Sequence, residues 1–106
     1  MRIVIDCEND LQKYCMRYLD KLGIKYFHKY NYGSQKNRKS VHKKYKGWPD
    51  LTIPLKDITI YIELKMPGKK LTPEQGEWQQ YFIDHKQPFY VVDNFVQFKN
   101  IIERWN

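Results

Sequence analysis

Ile58-Thr59-Ile60-Tyr61-Ile62-Glu63-Leu64-Lys65 alternates apolar and polar residues without a break. A period of two marks a β-strand that buries one face. Ile58, Ile60, Ile62 and Leu64 make that face wholly apolar. Thr59, Tyr61, Glu63 and Lys65 make the other, which ends in a carboxylate and an amine side by side. Pro67-Gly68 ends the strand. Upstream, Pro54-Leu55-Lys56-Asp57 makes a turn, and Trp48-Pro49-Asp50-Leu51-Thr52-Ile53 reads as a partner strand with proline at its entry, where it is tolerated. In that partner Asp50 and Thr52 share one face, Leu51 and Ile53 the other. Paired as a hairpin, the two strands bring Asp50 close to Glu63.

The rest of the chain supplies helices on either side. Leu11, Tyr14, Cys15, Tyr18, Leu19 and Leu22 recur at three- and four-residue steps, an apolar helical stripe that Gly23 is placed to stop. Glu8 continues the stripe one turn earlier, so its carboxylate faces inward; an ordinary first-turn acid favoured by the helix dipole is the alternative. Ile24 to Tyr32 reads as a strand rich in Tyr and Phe. Gly33 to Gly47 has no apolar period and reads as a mobile basic loop. Thr72-Pro73-Glu74-Gln75 is a capping-box helix start. That helix is expected to run to about His85, with Trp78, Tyr81 and Phe82 on its apolar side. Phe89 to Val92 is a short buried strand. Asn94 and Gln97 open a last helix striped by Phe95, Phe98, Ile101, Ile102 and Trp105. The order helix, three strands, helix, strand, helix predicts an α/β fold, a central mixed four-stranded sheet flanked by helices, over one domain of residues 1–106.

Composition narrows the class. No apolar run approaches the roughly 18 residues needed to span a bilayer, and the N-terminus lacks a signal-peptide layout, so a cytoplasmic protein without a membrane partner is expected. Cys7 and Cys15, about 12 Å apart if both lie on one helix, are too distant to bridge and read as buried thiols in a reducing compartment. No CxxC or HxxxH spacing offers a zinc site. The net charge of +7 is concentrated: residues 21–49 hold nine Lys or Arg and no acid, while the remainder holds ten basic and twelve acidic residues. A polyanion is the first explanation and nucleic acid the commonest such partner. A solvated lysine-rich loop is the plainer alternative.

Phosphodiester hydrolysis needs activated water and stabilised charge on the phosphate oxygens, and Mg²⁺ can serve both needs. Mg²⁺ takes hard oxygen ligands, so two carboxylates and a main-chain carbonyl suit it, with an ammonium nearby. Asp50, Glu63, the carbonyl of Leu64 and Lys65 offer that set compactly. A lone Glu-x-Lys at a strand end is ordinarily a surface pair. The same motif after a Pro-Asp strand and a turn is far more specific.

Pro49-Asp50 with Glu63-Leu64-Lys65 resembles the PD-(D/E)XK nuclease superfamily. Gly47-Trp48-Pro49-Asp50-Leu51, Glu63-Leu64-Lys65, Leu71-Thr72-Pro73-Glu74-Gln75 with Trp78, and Tyr90-Val91-Val92-Asp93 together resemble its VRR-NUC family. The resemblance runs from about Glu8 to Trp105 and implies a restriction-endonuclease-like core. It further implies Asp50, Glu63, Glu8 and the Leu64 main chain as ligands of Mg²⁺ or Mn²⁺, and Lys65 as the catalytic lysine. Gln75 matches a family position near the active site. Its other reading is the capping partner of Thr72, and one side chain is expected to serve only one of the two. Members this short are typically stand-alone phage proteins, which implies a host cytoplasm, and they resemble homodimers. Two features fit loosely: the loop before the Pro-Asp strand is unusually long and basic, and Gln87-Pro88 stands where the family tends to have glycine.

On this reading the protein is a metal-dependent DNA endonuclease. Lys36, Arg38, Lys39, Lys43, Lys44 and Lys46, leading into Asp50, are candidates for gripping phosphates, as are Lys69 and Lys70 beyond the strand. Such contacts give affinity and salt dependence rather than base choice, so selectivity for branches, flaps or four-way junctions is expected. Trp48 either stacks on a base or packs in the core. The alternative function is a catalytically inactive nucleic-acid-binding or protein-interaction module on the same fold. A binder has no need of an acidic cluster facing a polyanion.

Overall fold

The structure, a computed structural model, describes residues 4–29 and 44–106. Helix α1 (Glu8–Leu22) begins after Cys7 and ends where Gly23 turns left-handed at φ 73°. The Gly23 and Ile24 N–H groups donate back to the carbonyls of Asp20 and Leu19 at 3.1 and 3.0 Å. This arrangement satisfies carbonyls a helix end would otherwise strand. Strand β1 (Phe27–His28) is short, and positions 30–32 of the longer strand expected there lie outside the described residues. So does the expected basic loop up to position 43, with Lys36, Arg38, Lys39 and Lys43.

Strands β2 (Leu51–Pro54) and β3 (Thr59–Leu64) form the expected hairpin, with Leu51 opposite Ile62 and Pro54 opposite Thr59. Helix α2 (Pro73–Asp84) then carries the chain across to β4 (Phe89–Val92), which runs parallel to β3, with Tyr61 opposite Phe89 and Leu64 opposite Val92. A parallel neighbour requires such a crossover. Helix α3 (Phe95–Trp105) closes the described chain; its cap, Asn94, accepts from the Gln97 N–H at 2.8 Å. The sheet order is β1-β2-β3-β4, antiparallel except for the last pair.

The two sheet faces bury different chemistry. Leu51, Ile53, Ile60, Ile62, Leu64 and Val92 pack with Leu11, Cys15 and Leu19 of α1 and Phe98, Ile101 and Ile102 of α3, in one aliphatic core. Each such side chain stabilises the fold by about 1.5–3 kcal/mol. On the opposite side the rings of α2 cover the sheet: Phe82 stacks on Tyr61 at 4.2 Å and on Phe89 at 5.6 Å. Trp48 meets Tyr61, Phe82 and Trp78 edge-on, and its indole donates to Thr52 Oγ1 at 2.9 Å. Of its two expected roles, Trp48 therefore takes core packing.

Three expected core positions are corrected. Leu22 and Tyr81 are about half exposed, because each sits at the margin of its stripe, past the surface its helix packs on. Cys7 is exposed, since it lies outside the first turn of α1, while Cys15 is buried; both are free thiols. Burial pushes the Cys15 thiol up to about 12. Among the described residues no helix is long and apolar enough to cross a membrane.

Candidate active site

The site forms where β2 and β3 stop pairing. Asp50 stands one residue before β2, and its Oδ2 accepts from the Leu64 N–H at 2.8 Å. Leu64 lies beyond the last residue of β3 paired with β2, so its N–H is available to a side chain. This bond holds the Asp50 carboxylate against the end of β3. Glu63, between Ile62 and Leu64, is drawn under α2 and is only 1% exposed. Glu8 reaches the same place from the first turn of α1 and is half-buried. Carboxylate oxygens of Glu8, Asp50 and Glu63 lie within 4.8 Å of one another.

Gln75 ties α2 to this cluster. Its Oε1 accepts from the Thr72 N–H at 2.9 Å, while the Thr72 hydroxyl accepts from the Gln75 N–H at 3.2 Å, which completes the capping box. Its Nε2 simultaneously donates to Glu63 Oε2 at 3.0 Å. The expectation that one side chain serves one role is thus overturned. The primary amide has an acceptor and a donor on opposite atoms, and the cap uses only the acceptor. The cap also fixes the amide's orientation, so the NH₂ group is aimed at Glu63.

The segment before Asp50 is pinned to the same turn of α2. Gly47 has φ 87°, and a Cβ there would lie 2.5 Å from the Glu74 carbonyl carbon and 2.7 Å from the Gln75 nitrogen. Only glycine permits that approach. The Trp78 indole donates to the Lys46 carbonyl at 2.9 Å, and Lys46 Nζ lies 3.9 Å from Glu74 Oε2.

Electrostatics in the cluster favour an added cation. Burial, and then the charge of Asp50, push the Glu63 carboxyl well above its ordinary range. The same two causes, in the same order, raise Glu8. The ammonium groups of Lys65 and Lys29 oppose both shifts. Among the described residues, Glu63 Oε1 is buried with no hydrogen-bond partner. A buried acceptor without a partner costs about 1–3 kcal/mol, and an oxygen-seeking cation would satisfy it. The donor set fits a hard divalent ion.

Of the expected site residues, the fold brings together Glu8, Asp50, Glu63 and Gln75, with Lys65 close enough to act on the acids. Lys44 and Lys46 are exposed on the segment leading into Asp50, and Lys69 and Lys70 are exposed beyond β3. Lys29 is a neighbour that sequence reasoning did not single out. The signal was the register: it lies one residue past His28, which pairs with Leu51, and so falls opposite Asp50.

The architecture, a mixed four-stranded sheet flanked by helices, is shared by solved structures. One, described as "VRR_NUC domain", is similar with a TM-score of 0.70 and 23% identity, covering 93% of this chain and 97% of its own. Another, described as "VRR_NUC domain protein", has a TM-score of 0.72 and 20% identity, covering 96% of this chain and 89% of its own. The fold is accordingly the restriction-endonuclease-like one. No protein-family model matches the chain, and no curated protein matches it in sequence.

Proposed function

We propose that residues 1–106 form one nuclease domain, a metal-dependent DNA endonuclease of the VRR-NUC kind. The observation that carries this reading is the convergence of carboxylate oxygens of Glu8, Asp50 and Glu63 within 4.8 Å, together with a buried Glu63 Oε1 that has no partner among the described residues. Three ionised carboxylates at that spacing repel one another unless a proton or a cation joins them. Asp50, Glu63, Glu8 and the Leu64 main-chain oxygen would hold Mg²⁺ or Mn²⁺. When bound, such an ion stabilises charge on the phosphoryl oxygens and makes water a better nucleophile at neutral pH.

The protein's own groups do the rest. Gln75 holds one oxygen of Glu63 and leaves the other for the ion. The Leu64 N–H holds one oxygen of Asp50. Lys65 orients the attacking water or clamps the scissile phosphate, as a compact ammonium suits. Lys44, Lys46, Lys69 and Lys70, with Lys36, Arg38, Lys39 and Lys43 of the basic stretch, grip flanking phosphates. These contacts read backbone rather than bases, so the substrate is a DNA shape: a branch, a flap or a four-way junction. Two copies acting as a homodimer would suit a junction, and the cytoplasm, a host's if the protein is phage-encoded, is the setting.

The test is cleavage of linear, nicked, flap and four-way-junction DNA with Mg²⁺, Mn²⁺ or Ca²⁺. Cutting of a branched form with Mg²⁺ or Mn²⁺ is expected. It should be abolished in Asp50→Ala, Glu63→Ala and Lys65→Ala, while DNA binding survives. Metal-dependent cutting that persists in all three variants would overturn the site.

A further inference from the structure

Three residues fall in one row across the sheet: Lys29 one residue past β1, Asp50 one residue before β2, and Glu63 in β3. Phe27 pairs with Thr52 and His28 with Leu51, so Lys29 falls opposite Asp50, and the Lys29 N–H donates to the Asp50 carbonyl at 2.9 Å. Leu51 pairs with Ile62, so Asp50 in turn falls opposite Glu63. Directly opposed residues project to the same face. Lys29, half-buried one residue past the edge strand, therefore ends the row that Asp50 and Glu63 continue. Lys65 stands two residues beyond Glu63 on that same face. The two lysines follow the ends of β1 and β3, with β2 between those strands.

Charge counting separates their tasks. With a cation bound, all three carboxylates would be ionised and carry three negative charges. A divalent ion and Lys65 cancel all three, so the loaded site is neutral without Lys29. The second lysine leaves one surplus positive charge, which matches one phosphodiester. Lys29 is half-buried beside the cluster, and its charge opposes the upward shifts of Glu8 and Glu63. Adjacent strands are about 4.8 Å apart, so the Lys29 backbone lies roughly two strand spacings from that of Glu63. Lys29 therefore stands beside the acidic cluster rather than within it.

We propose that Lys29 binds a backbone phosphate of the nucleic acid on the β1 side of the acidic cluster, next to the phosphate that is attacked, and so sets the path of the cut strand across the sheet. This rests on the reading of the chain as a nuclease. Lys29 is then a substrate-binding residue, and its loss is felt mainly in affinity and KM.

The experiment uses the full chain with Lys29→Met and Lys29→Arg, and Lys29→Gln as a second neutral variant should methionine disturb the edge strand. Binding of a fluorescein-labelled four-way junction is followed in Ca²⁺ across a salt series, cleavage in Mg²⁺, and ion affinity by thermal shift. The neutral variants should bind roughly 5–10-fold more weakly, with the slope of log K against log[salt] shallower by about 0.9, the value of one phosphate contact. KM should rise more than kcat falls, and Lys29→Arg should restore the slope. If the wild type cuts DNA but the neutral variants keep its affinity and slope and only bind the ion more tightly, Lys29 is a counter-charge for the carboxylates and the proposal falls alone. A wild type that neither binds nor cuts any DNA with any ion overturns the nuclease reading and this proposal together.

Discussion

Replacing Glu63 with glutamine is expected to stabilise the metal-free protein while removing its response to divalent ions. The amide oxygen would accept from Gln75 Nε2, as Glu63 Oε2 does at 3.0 Å. The new NH₂ would stand where Oε1 has no partner and offer donors to the neighbouring carboxylates. The gain comes from removing a buried carboxyl that must either carry charge beside two others or hold a proton above its ordinary range. Carboxylate oxygens of Glu63, Asp50 and Glu8 lie within 4.8 Å of one another, and unit charges at that separation repel by about 3 kcal/mol at an effective dielectric constant near 20. Glu8 and Asp50 are half-exposed, so screening reduces the two contributions to a total on the order of 2–4 kcal/mol. For a chain near this size the gain corresponds to about 10–20 °C in Tm.

The sign with pH follows from the raised carboxyl of Glu63. Its neutral form contributes stability that is fully present below the unfolded value, near 4.5, and is lost as pH rises through the raised folded value. The advantage of Glu63→Gln over wild type in EDTA should therefore be small at pH 5 and large at pH 8. In Mg²⁺ the order reverses or narrows, because a bound ion at one hundred times its Kd adds about 2.7 kcal/mol to the wild type alone. Thermal denaturation of both proteins in EDTA and in Mg²⁺, at both pH values, measures all four quantities. A variant that melts no higher than wild type in EDTA at pH 8, or that gains as much from Mg²⁺, refutes the reasoning.

Lys65→Met should abolish cleavage while leaving the Mg²⁺-dependent rise in Tm intact, since the ammonium is not a ligand; loss of that rise would place Lys65 in the ion site. Gly47→Ala should destabilise by about 1–3 kcal/mol or more, because its Cβ would collide with the Glu74 and Gln75 backbone. Its cleavage rate should fall further than the neighbouring Lys46→Ala rate, as the shift displaces Gln75 from Glu63. Of the two thiols, Cys7 should react with a thiol reagent in the folded protein and Cys15 only on unfolding, for Cys15 is buried with its thiol raised to about 12; two fast equivalents would contradict that packing.

What could be read from the chain were features settled by neighbours a few residues apart. The alternation of Ile58 to Lys65, the stop at Gly23, the capping pairs at Thr72 and Asn94 and the hairpin across Pro54 to Asp57 all depend on local geometry. Each appears in the fold close to where it was expected. Asp50 and Glu63 share that advantage, because a short turn joins their strands. Glu8 was legible as an inward acid, but that it meets the other two depends on how α1 lies across the sheet.

Long-range packing settled the remainder. Stripe position alone does not say which margin residues a helix covers, so Leu22 and Tyr81 emerge exposed. The double service of Gln75 requires α2 to begin directly over the end of β3, an approach that the bare backbone of Gly47 allows. Lys29 enters the site through a pairing register between strands far apart in the chain, which no local pattern encodes. The chemistry of the cluster was therefore written in residue types at fixed spacings. Its electrostatics, a buried Glu63 with one oxygen held by Gln75 and the other without a partner among the described residues, arise from elements distant in sequence that meet at one end of a sheet.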